Sequence, residues 1–161
     1  MIETLQVLDI IPGTTVDGSG LRTSIYLAGC KHACKGCHNP QSWDFNAGIT
    51  MSIEDILERI IEEDFNVTLT GGDPLWQVEK ILPLLKAIKE KGYNIWCYTG
   101  FTWEEITQSK QLSQVLDWVD VIVDGRFIEE KRDISLRFRG SSNQRVIDVK
   151  KTLESGNLHI L

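Results

Sequence analysis

The sequence predicts an α/β fold, a partial, open β/α barrel built on a mainly parallel sheet. Short apolar runs alternate along the chain with patterns of helical period. Strands separated by helices pair in parallel, because a parallel neighbour needs a crossover connection. At 161 residues, the chain is too short for a complete eight-fold barrel, which takes about 250 residues. We expect a single domain spanning residues 1–161.

The predicted strands are apolar runs of four to seven residues, most of them rich in β-branched side chains. They lie at residues 5–11, 23–28, 67–70, 94–98, 119–123 and 145–149. Ligands of parallel sheets bind at the carboxyl ends of the strands. The loops that follow these runs are therefore where we expect the functional residues.

The clearest predicted helix begins after Ser52. Apolar residues recur from Ile53 at i, i+3, i+4, i+7 and i+8, so they share one face of the helix. Ser52 with Asp55 three residues later resembles a capping box, which marks a helix N-terminus.

Two more helices are predicted further along the chain. One covers residues 78–91 and ends at Gly92. Pro83 predicts that the regular part of this helix starts late, because proline removes a helical hydrogen bond. The other is shorter and begins at Thr102, where Glu105 completes a second capping-box pattern.

Composition and charge exclude several classes of protein. The formal net charge is -6, which lacks the positive footprint of a nucleic-acid-binding protein. No apolar run approaches the roughly 18 residues that a membrane span needs. The first four residues have neither the basic nor the apolar region of a secretion signal. We expect a cytoplasmic protein with no nucleic-acid or membrane partner.

One stretch of the chain carries more basic than acidic residues, unlike the chain as a whole. Between residues 126 and 145, which we call the charged segment, six basic residues stand against three acidic ones. The segment is either solvated surface or a docking patch.

Three of the four cysteines stand within eight residues. Cys30, Cys34 and Cys37 form a C-x3-C-x2-C pattern directly after the second predicted strand, whereas Cys97 lies in an apolar run. In a reducing compartment, a tight thiol cluster indicates metal binding or catalysis rather than disulfides. Cys97 is interpreted as a buried small hydrophobe.

The cysteine pattern leaves three metal sites open. Four-iron clusters normally take four cysteine ligands, so three cysteines would leave one iron free for another ligand. A closed zinc site is an alternative, since His32 and His38 are close in sequence. A ferredoxin-like electron carrier is another, although it favours complete cysteine ligation. We interpret the two histidines as loop residues packing over the site.

The same motif, in a loop of a small β/α protein, resembles the radical S-adenosylmethionine superfamily. The family pattern usually carries an aromatic residue just before the last cysteine, where this chain has Gly36. Residues 69–74, LTGGDP, resemble the family segment whose backbone and acid hold the methionine ammonium group. Glycines allow close approach of the backbone, and an acid complements an amine.

Several further segments are similar to one branch of that superfamily, the activating enzymes of glycyl-radical proteins. They are DGSGLR at 17–22, HNPQSW at 38–43, YTGFT at 98–102, VIVDGRF at 121–127 and RGSSNQR at 139–145. The last, with the short length, resembles the activating proteins of anaerobic ribonucleoside-triphosphate reductases. An activator of another glycyl-radical enzyme, such as pyruvate formate-lyase, is the alternative.

The resemblance implies an oxidoreductase that uses one [4Fe-4S] cluster with three cysteine ligands and S-adenosyl-L-methionine. An electron from a low-potential donor such as flavodoxin or ferredoxin would cleave S-adenosylmethionine to a 5'-deoxyadenosyl radical. That radical would abstract a hydrogen from a glycine of the reductase. The cofactor carries the chemistry, and the protein supplies binding and orientation.

The resemblance also assigns residues. Cys30, Cys34 and Cys37 are the expected cluster ligands and catalytic residues. The remaining residues are expected around S-adenosylmethionine: Gly36, Cys37 and His38 at the nucleoside, Gly71, Gly72 and Asp73 at the amino-acid end, Tyr98, Thr99 and Gly100 at ribose or carboxylate, and Asp124 and Arg126 as further polar groups.

Overall fold

The computed structural model describes residues 3–161; Met1 and Ile2, part of the N-terminus from which we expected no secretion signal, lie outside the described residues. This part of the chain forms one sheet of seven strands. They are β1 (Thr4–Thr14), β2 (Arg22–Leu27), β3 (Ile49–Ser52), β4 (Asn66–Gly71), β5 (Ile95–Tyr98), β6 (Val121–Asp124) and β7 (Arg145–Asp148). The α-helices are α1 (Ile53–Glu63), α2 (Val78–Glu90), α3 (Trp103–Gln108) and α4 (Val149–Ser155).

The strand order is β3-β1-β2-β4-β5-β6-β7. The central strands β2, β4, β5 and β6 are parallel, whereas β1 pairs antiparallel with both β2 and β3, and β6 pairs antiparallel with β7. The predicted α/β class is confirmed, but the prediction of a mainly parallel sheet is wrong. The links at residues 15–21 and 125–144 contain no α-helix, so β1–β2 and β6–β7 lack the helical crossovers seen between the central strands.

The sheet is open, with β3 at one edge, and the partial barrel stays a prediction. All six predicted strands form, whereas β3 was not predicted. It is four residues long and partly exposed, so it carries no buried apolar run.

The main core lies between one face of the sheet and the helices. Ile25, Leu69 and Cys97 from the central strands are fully buried against side chains such as Ile56 and Ile81 from α1 and α2. The interpretation of Cys97 as a buried small hydrophobe is confirmed.

Helix termini follow their sequence signals with one exception. The Ser52 hydroxyl accepts from the Asp55 N–H, and Thr102 with Glu105 forms a complete capping box. The late start predicted for α2 is wrong, because α2 begins at Val78 and holds Pro83 inside. Burial of five apolar side chains along its inner face offsets the hydrogen bond that Pro83 removes.

The opposite face of the sheet is more polar and is organised by Arg22. This buried guanidinium donates to the Thr68 hydroxyl at 2.8 Å and to the Asn94 side-chain oxygen at 2.8 Å. Burial lowers its pKa to about 10. Gly18 is needed beside it, because a Cβ there would lie 2.7 Å from the Arg22 Cδ. Through Arg22, the DGSGLR segment therefore attaches the link between β1 and β2 to the sheet.

The chain beyond β7 also has structure. After α4, Ile160 pairs antiparallel with Ile147 of β7, and the Leu161 N–H donates to the Val146 carbonyl at 2.8 Å. Across residues 3–161, none of the helices combines the length and apolar character needed to cross a membrane.

Candidate functional site

Three loops meet at the carboxyl ends of β2, β4 and β5. Residues 28–37 follow β2, residues 71–73 end β4 and lead out of it, and residues 98–100 end β5. We call these the interlocked loops, because hydrogen bonds join them to one another. The Asp73 N–H donates to the Gly29 carbonyl at 2.8 Å, and the Gly72 N–H donates to the Leu27 carbonyl at 2.8 Å. Together with part of the charged segment they line one cavity.

The two glycines of the LTGGDP segment are sterically required. A Cβ on Gly71 would lie 2.4 Å from the Leu27 backbone, and one on Gly72 would lie 2.5 Å from the Gly29 carbonyl oxygen. Gly71 also has a φ of +107°, which only glycine adopts readily. These residues let the β4 loop pack directly on the cysteine loop.

All three clustered cysteines line the cavity and are free thiols of intermediate exposure. Burial raises the pKa of Cys30 to about 11 and also raises the pKa of Cys34. Backbone groups act in the other direction, since hydrogen bonding by the His32 and Phe127 backbones lowers the pKa of Cys30 and Cys34 respectively. The Asn39 N–H donates to the Cys37 sulfur at 3.4 Å. Burial thus outweighs the backbone groups at Cys30 and Cys34.

Asp73 is the most heavily bonded side chain of the site. Only 2% of this residue is exposed. One carboxylate oxygen accepts from the Thr99 hydroxyl at 2.9 Å and the Gly100 N–H at 2.8 Å, and lies 2.6 Å from the His32 Nε2. The other accepts from the Leu75 N–H at 3.0 Å. Asp73 therefore joins all three interlocked loops.

His32 was interpreted from the sequence as a loop residue packing over the metal site, and its bond to Asp73 was not foreseen. Its side chain is 3% exposed and packs against both Trp76 and Phe101, with ring centroids 5.2 and 4.7 Å away. His32 and Asp73 are 41 residues apart, so no local motif connects them. The available signal for their contact was that His32 follows β2 and Asp73 follows β4, which are adjacent strands.

Tyr98 also lines the cavity, and its side chain carries an unpaired polar atom. Among residues 3–161, its hydroxyl is buried and has no hydrogen-bond partner. Burial raises the pKa of this phenol, so it stays protonated at neutral pH. A protonated Tyr98 can donate a hydrogen bond to a ligand in the cavity.

Comparison with known proteins places the chain in a family. Residues 16–147 match the family described as a 4Fe-4S single cluster domain. The anaerobic ribonucleoside-triphosphate reductase-activating protein of Haemophilus influenzae is 38% identical over 152 residues, covering 87% of this chain and 96% of that protein. The proteins of the same name from Escherichia coli K12 and phage T4 are each 37% identical, over 143 and 145 residues; these matches cover 83% and 85% of this chain and 92% and 90% of those proteins.

The chain belongs to the family of anaerobic ribonucleoside-triphosphate reductase-activating proteins. The resemblance seen in the sequence is thereby confirmed. The fold is also that of a solved structure, QueE from Escherichia coli, with a TM-score of 0.54, 19% identity, and coverage of 75% of this chain and 70% of that one.

Three free thiols of the cavity are available to a metal centre, and thiolates are the ligands of iron–sulfur clusters. Two sulfur ligands of one zinc ion lie within about 4.6 Å of each other, twice the Zn–S distance. Within residues 3–161, no three Cys, His, Asp or Glu side chains are grouped closely enough to hold one ion. Cys30, Cys34 and Cys37 nevertheless face one cavity, as the ligands of a larger four-iron cluster would.

Most predicted residues of the activating-protein site come together, and three do not. All of them except Gly36, Asp124 and Arg126 line the cavity. Asp124 is 1% exposed and accepts from Arg145 at 2.5 Å and from the Trp103 N–H at 2.7 Å. Arg126 forms a two-bond pair with Glu105 at 2.8 and 3.1 Å.

Arg126 acts on the site through its charge, which lowers the pKa of the Cys34 thiol. The basic residue that lines the cavity is instead Arg139, with Gly140 and Gln144 of the same RGSSNQR segment. The sequence indicates the family resemblance of that segment, but it leaves open whether the charged segment is solvated surface or a docking patch.

Proposed function

We propose that this chain is the activating enzyme of an anaerobic ribonucleoside-triphosphate reductase. It would hold one [4Fe-4S] cluster through Cys30, Cys34 and Cys37 and cleave S-adenosylmethionine in the same cavity. The observation that carries the proposal is the convergence of the cysteine loop and the Gly-Gly-Asp loop on one cavity. The names of the relatives support the choice of the reductase as partner over pyruvate formate-lyase.

The cluster, when bound, supplies the single electron that breaks a carbon–sulfur bond of S-adenosylmethionine, giving methionine and a 5'-deoxyadenosyl radical. A low-potential donor such as flavodoxin or ferredoxin would provide that electron. The radical would then take a hydrogen atom from a glycine of the reductase, which leaves 5'-deoxyadenosine and a glycyl radical. Electrons balance, because one electron enters and one unpaired electron ends on the partner.

The residues of the chain would bind the cluster and orient S-adenosylmethionine. Three thiolates would ligate the cluster and leave one iron open for the amino-acid end of S-adenosylmethionine. Gly71 and Gly72 line the same cavity and would present backbone groups to the ligand. The protonated Tyr98 hydroxyl would donate to the ribose or the carboxylate.

The carboxylate of Asp73 has a narrower role than the motif predicts. One oxygen already accepts two hydrogen bonds and lies against His32, which leaves a lone pair of the other oxygen for the ammonium group. Asp73 would therefore hold the loop geometry and contact the ligand through one oxygen. We also propose that the chain acts as a single domain in the cytoplasm, where thiols stay reduced.

The test is anaerobic. The protein is reconstituted with iron and sulfide, supplied with dithionite and S-adenosylmethionine, and assayed for 5'-deoxyadenosine. We expect product from the wild type and none from Cys34→Ala, which should also lose most of its iron. The matched control is Cys97→Ala, because Cys97 is buried in the core and should not affect cluster loading.

The partner is tested in the same preparation. Addition of the anaerobic reductase should give a doublet radical signal in electron paramagnetic resonance, and pyruvate formate-lyase should not. Absence of 5'-deoxyadenosine despite a loaded cluster would remove the proposed reaction. A signal with pyruvate formate-lyase alone would reassign the partner.

A further inference from the structure

Gly36 occupies the position where the family pattern carries an aromatic residue, and its backbone conformation favours glycine. Its φ is +77°, in the left-handed region that favours glycine. A Cβ would lie 3.1 Å from both Cγ and Cδ of Glu129, so the space beside it is filled. The cysteine loop of this chain therefore offers no aromatic side chain at this position.

An aromatic ring reaches the cavity from a different element. Phe127, three residues beyond β6, lines the cavity with the cysteines. Its ring packs against His38, with centroids 5.1 Å apart and planes tilted by 54°. His38 directly follows Cys37, so the Phe127 ring lies beside the cysteine loop.

The RGSSNQR segment holds that ring in place. A Cβ on Gly140 would lie 3.1 Å from the Phe127 Cδ1, so glycine leaves the room that the ring occupies. Gln144 fixes Gly140, because its side-chain oxygen accepts from the Gly140 N–H at 2.9 Å. Its side-chain nitrogen donates to the Gly125 carbonyl at 2.9 Å, which ties the segment to the start of the Phe127 loop.

The cavity therefore combines two kinds of surface. Gly71, Gly72, Asp73 and Tyr98 line it with polar residues, whereas Phe127 with His38 forms an aromatic wall. A ligand with an amino acid at one end and a purine at the other matches both surfaces, since a purine has a flat π-face that stacks on aromatic side chains.

We propose that Phe127 stacks on the adenine of S-adenosylmethionine and replaces the aromatic residue that the cysteine motif lacks at Gly36. Gly140 and Gln144 are positioning residues for that ring. The inference deepens the proposed function and depends on it, because it assigns the base-recognition part of the same site.

The experiment compares two phenylalanines of the same loop in reconstituted, cluster-loaded protein. Phe138 is the matched control, because its ring packs on Trp96 at 5.2 Å and does not line the cavity. Dissociation constants are measured for S-adenosylmethionine, S-adenosylhomocysteine and methionine, together with iron content. We expect Phe127→Leu to weaken binding of the two adenosyl compounds about tenfold, the size of one base–aromatic stack.

Methionine affinity and iron content should stay unchanged in Phe127→Leu, and Phe138→Leu should change each value less than twofold. Phe127→Tyr should bind the adenosyl compounds like the wild type, because it keeps the ring. Gly140→Ala, whose Cβ displaces the ring, should weaken the same two ligands selectively.

Equal affinities in Phe127→Leu and wild type would overturn the inference. An equal loss for methionine, or an equal loss in Phe138→Leu, would overturn it as well, since the effect would then be a general loosening of the loop. Wild-type formation of 5'-deoxyadenosine separates this outcome from failure of the proposed function. If the wild type forms the nucleoside and Phe127→Leu binds normally, only the stacking role is lost.

Discussion

The two sides of the cavity are held together by different forces. On one side, the interlocked loops are joined by buried hydrogen bonds that converge on Asp73. On the other, the charged segment is held by ion pairs in addition to hydrogen bonds of Gln144, and the pair Arg126–Glu105 has side chains 42% and 41% exposed. Solvent and salt screen exposed charges far more than buried ones. The cysteine side should therefore be insensitive to ionic conditions, whereas the side bearing Phe127 should respond to them.

The largest expected effect tests the buried network. Asp73→Asn replaces one carboxylate oxygen with an NH2 group, which meets a hydrogen-bond donor in either orientation of the amide. We expect the free energy of unfolding of the apoprotein to fall by about 3 kcal/mol, the cost of a broken buried polar network. Urea denaturation at neutral pH measures it.

The control for that variant is Asp44→Asn. Asp44 is exposed and accepts from the Asn46 N–H within a turn. The same chemical change there should alter stability by less than about 0.5 kcal/mol. Similar losses in the two variants would show that burial of the Asp73 network does not set its contribution.

The next prediction tests whether burial or charge determines how much a side chain on each side of the cavity contributes to stability. Arg145 belongs to the charged segment, but it pairs with Asp124, which is 1% exposed. Arg145→Leu leaves that carboxylate buried beside two backbone N–H donors only. We expect a loss of about 2 to 3 kcal/mol in urea denaturation. Arg132→Leu, at an exposed position of the segment, should stay within about 0.5 kcal/mol; equal effects would contradict the argument from burial.

A third effect tests the contact between the cysteine loop and the β5 loop. A Cβ on Gly100 would lie 2.5 Å from the His32 Cδ2 and 2.8 Å from its Nε2. Gly100→Ala should therefore cost about 1 to 2 kcal/mol of stability through overpacking. In a His32→Ala background the clash is absent, so the same substitution should cost almost nothing.

The coupling between these two positions is read from the double-mutant cycle in urea denaturation. An identical cost of Gly100→Ala with and without His32 would show that the clash lies elsewhere. It would also remove His32 from the set of residues that lock the loops.

The sequence predicted the interlocked loops well and the charged segment poorly, for a physical reason. The cysteine spacing and the Gly-Gly-Asp turn are local patterns, and they directly follow β2 and β4, so neighbours in the sheet bring them together. The roles of Asp124 and Arg126 depend on partners from α3 and β7, which local sequence does not specify. The sequence identified Asp124 and Arg126 as candidates without indicating which partners their side chains contact.

The sequence did not indicate whether neighbouring strands pair in parallel or antiparallel, for a similar reason. An apolar run has the same pattern in either direction, so the six predicted strands carried no sign of parallel or antiparallel pairing. The seven-residue link between β1 and β2, too short for a helical crossover, was the usable clue. Phe127 also escaped notice, because its place in the cavity depends on the space left by Gly140, thirteen residues away.

The smallest expected effect concerns the exposed pair of the charged segment. The Arg126 guanidinium lowers the pKa of Glu105 from its ordinary 4.5 to about 2. A carboxylate with a depressed pKa in the folded state contributes stability above its unfolded pKa and loses it as the pH falls. The contribution of Glu105 is thus complete above about pH 4.5 and disappears toward pH 2. Because both side chains are more than one-third exposed, screening keeps it below about 1 kcal/mol.

Glu105→Gln removes the charge and keeps the capping box of α3, since glutamine also serves at that position. Urea denaturation at pH 6 should show the wild type slightly more stable than this variant, and the difference should shrink at pH 3 and in 0.5 M salt. Glu62→Gln, on an exposed position of α1, controls for loss of one carboxylate. A pH-independent difference would mean that the charge of Glu105 is not its source, and that the ion pair with Arg126 does not stabilise the start of the charged segment.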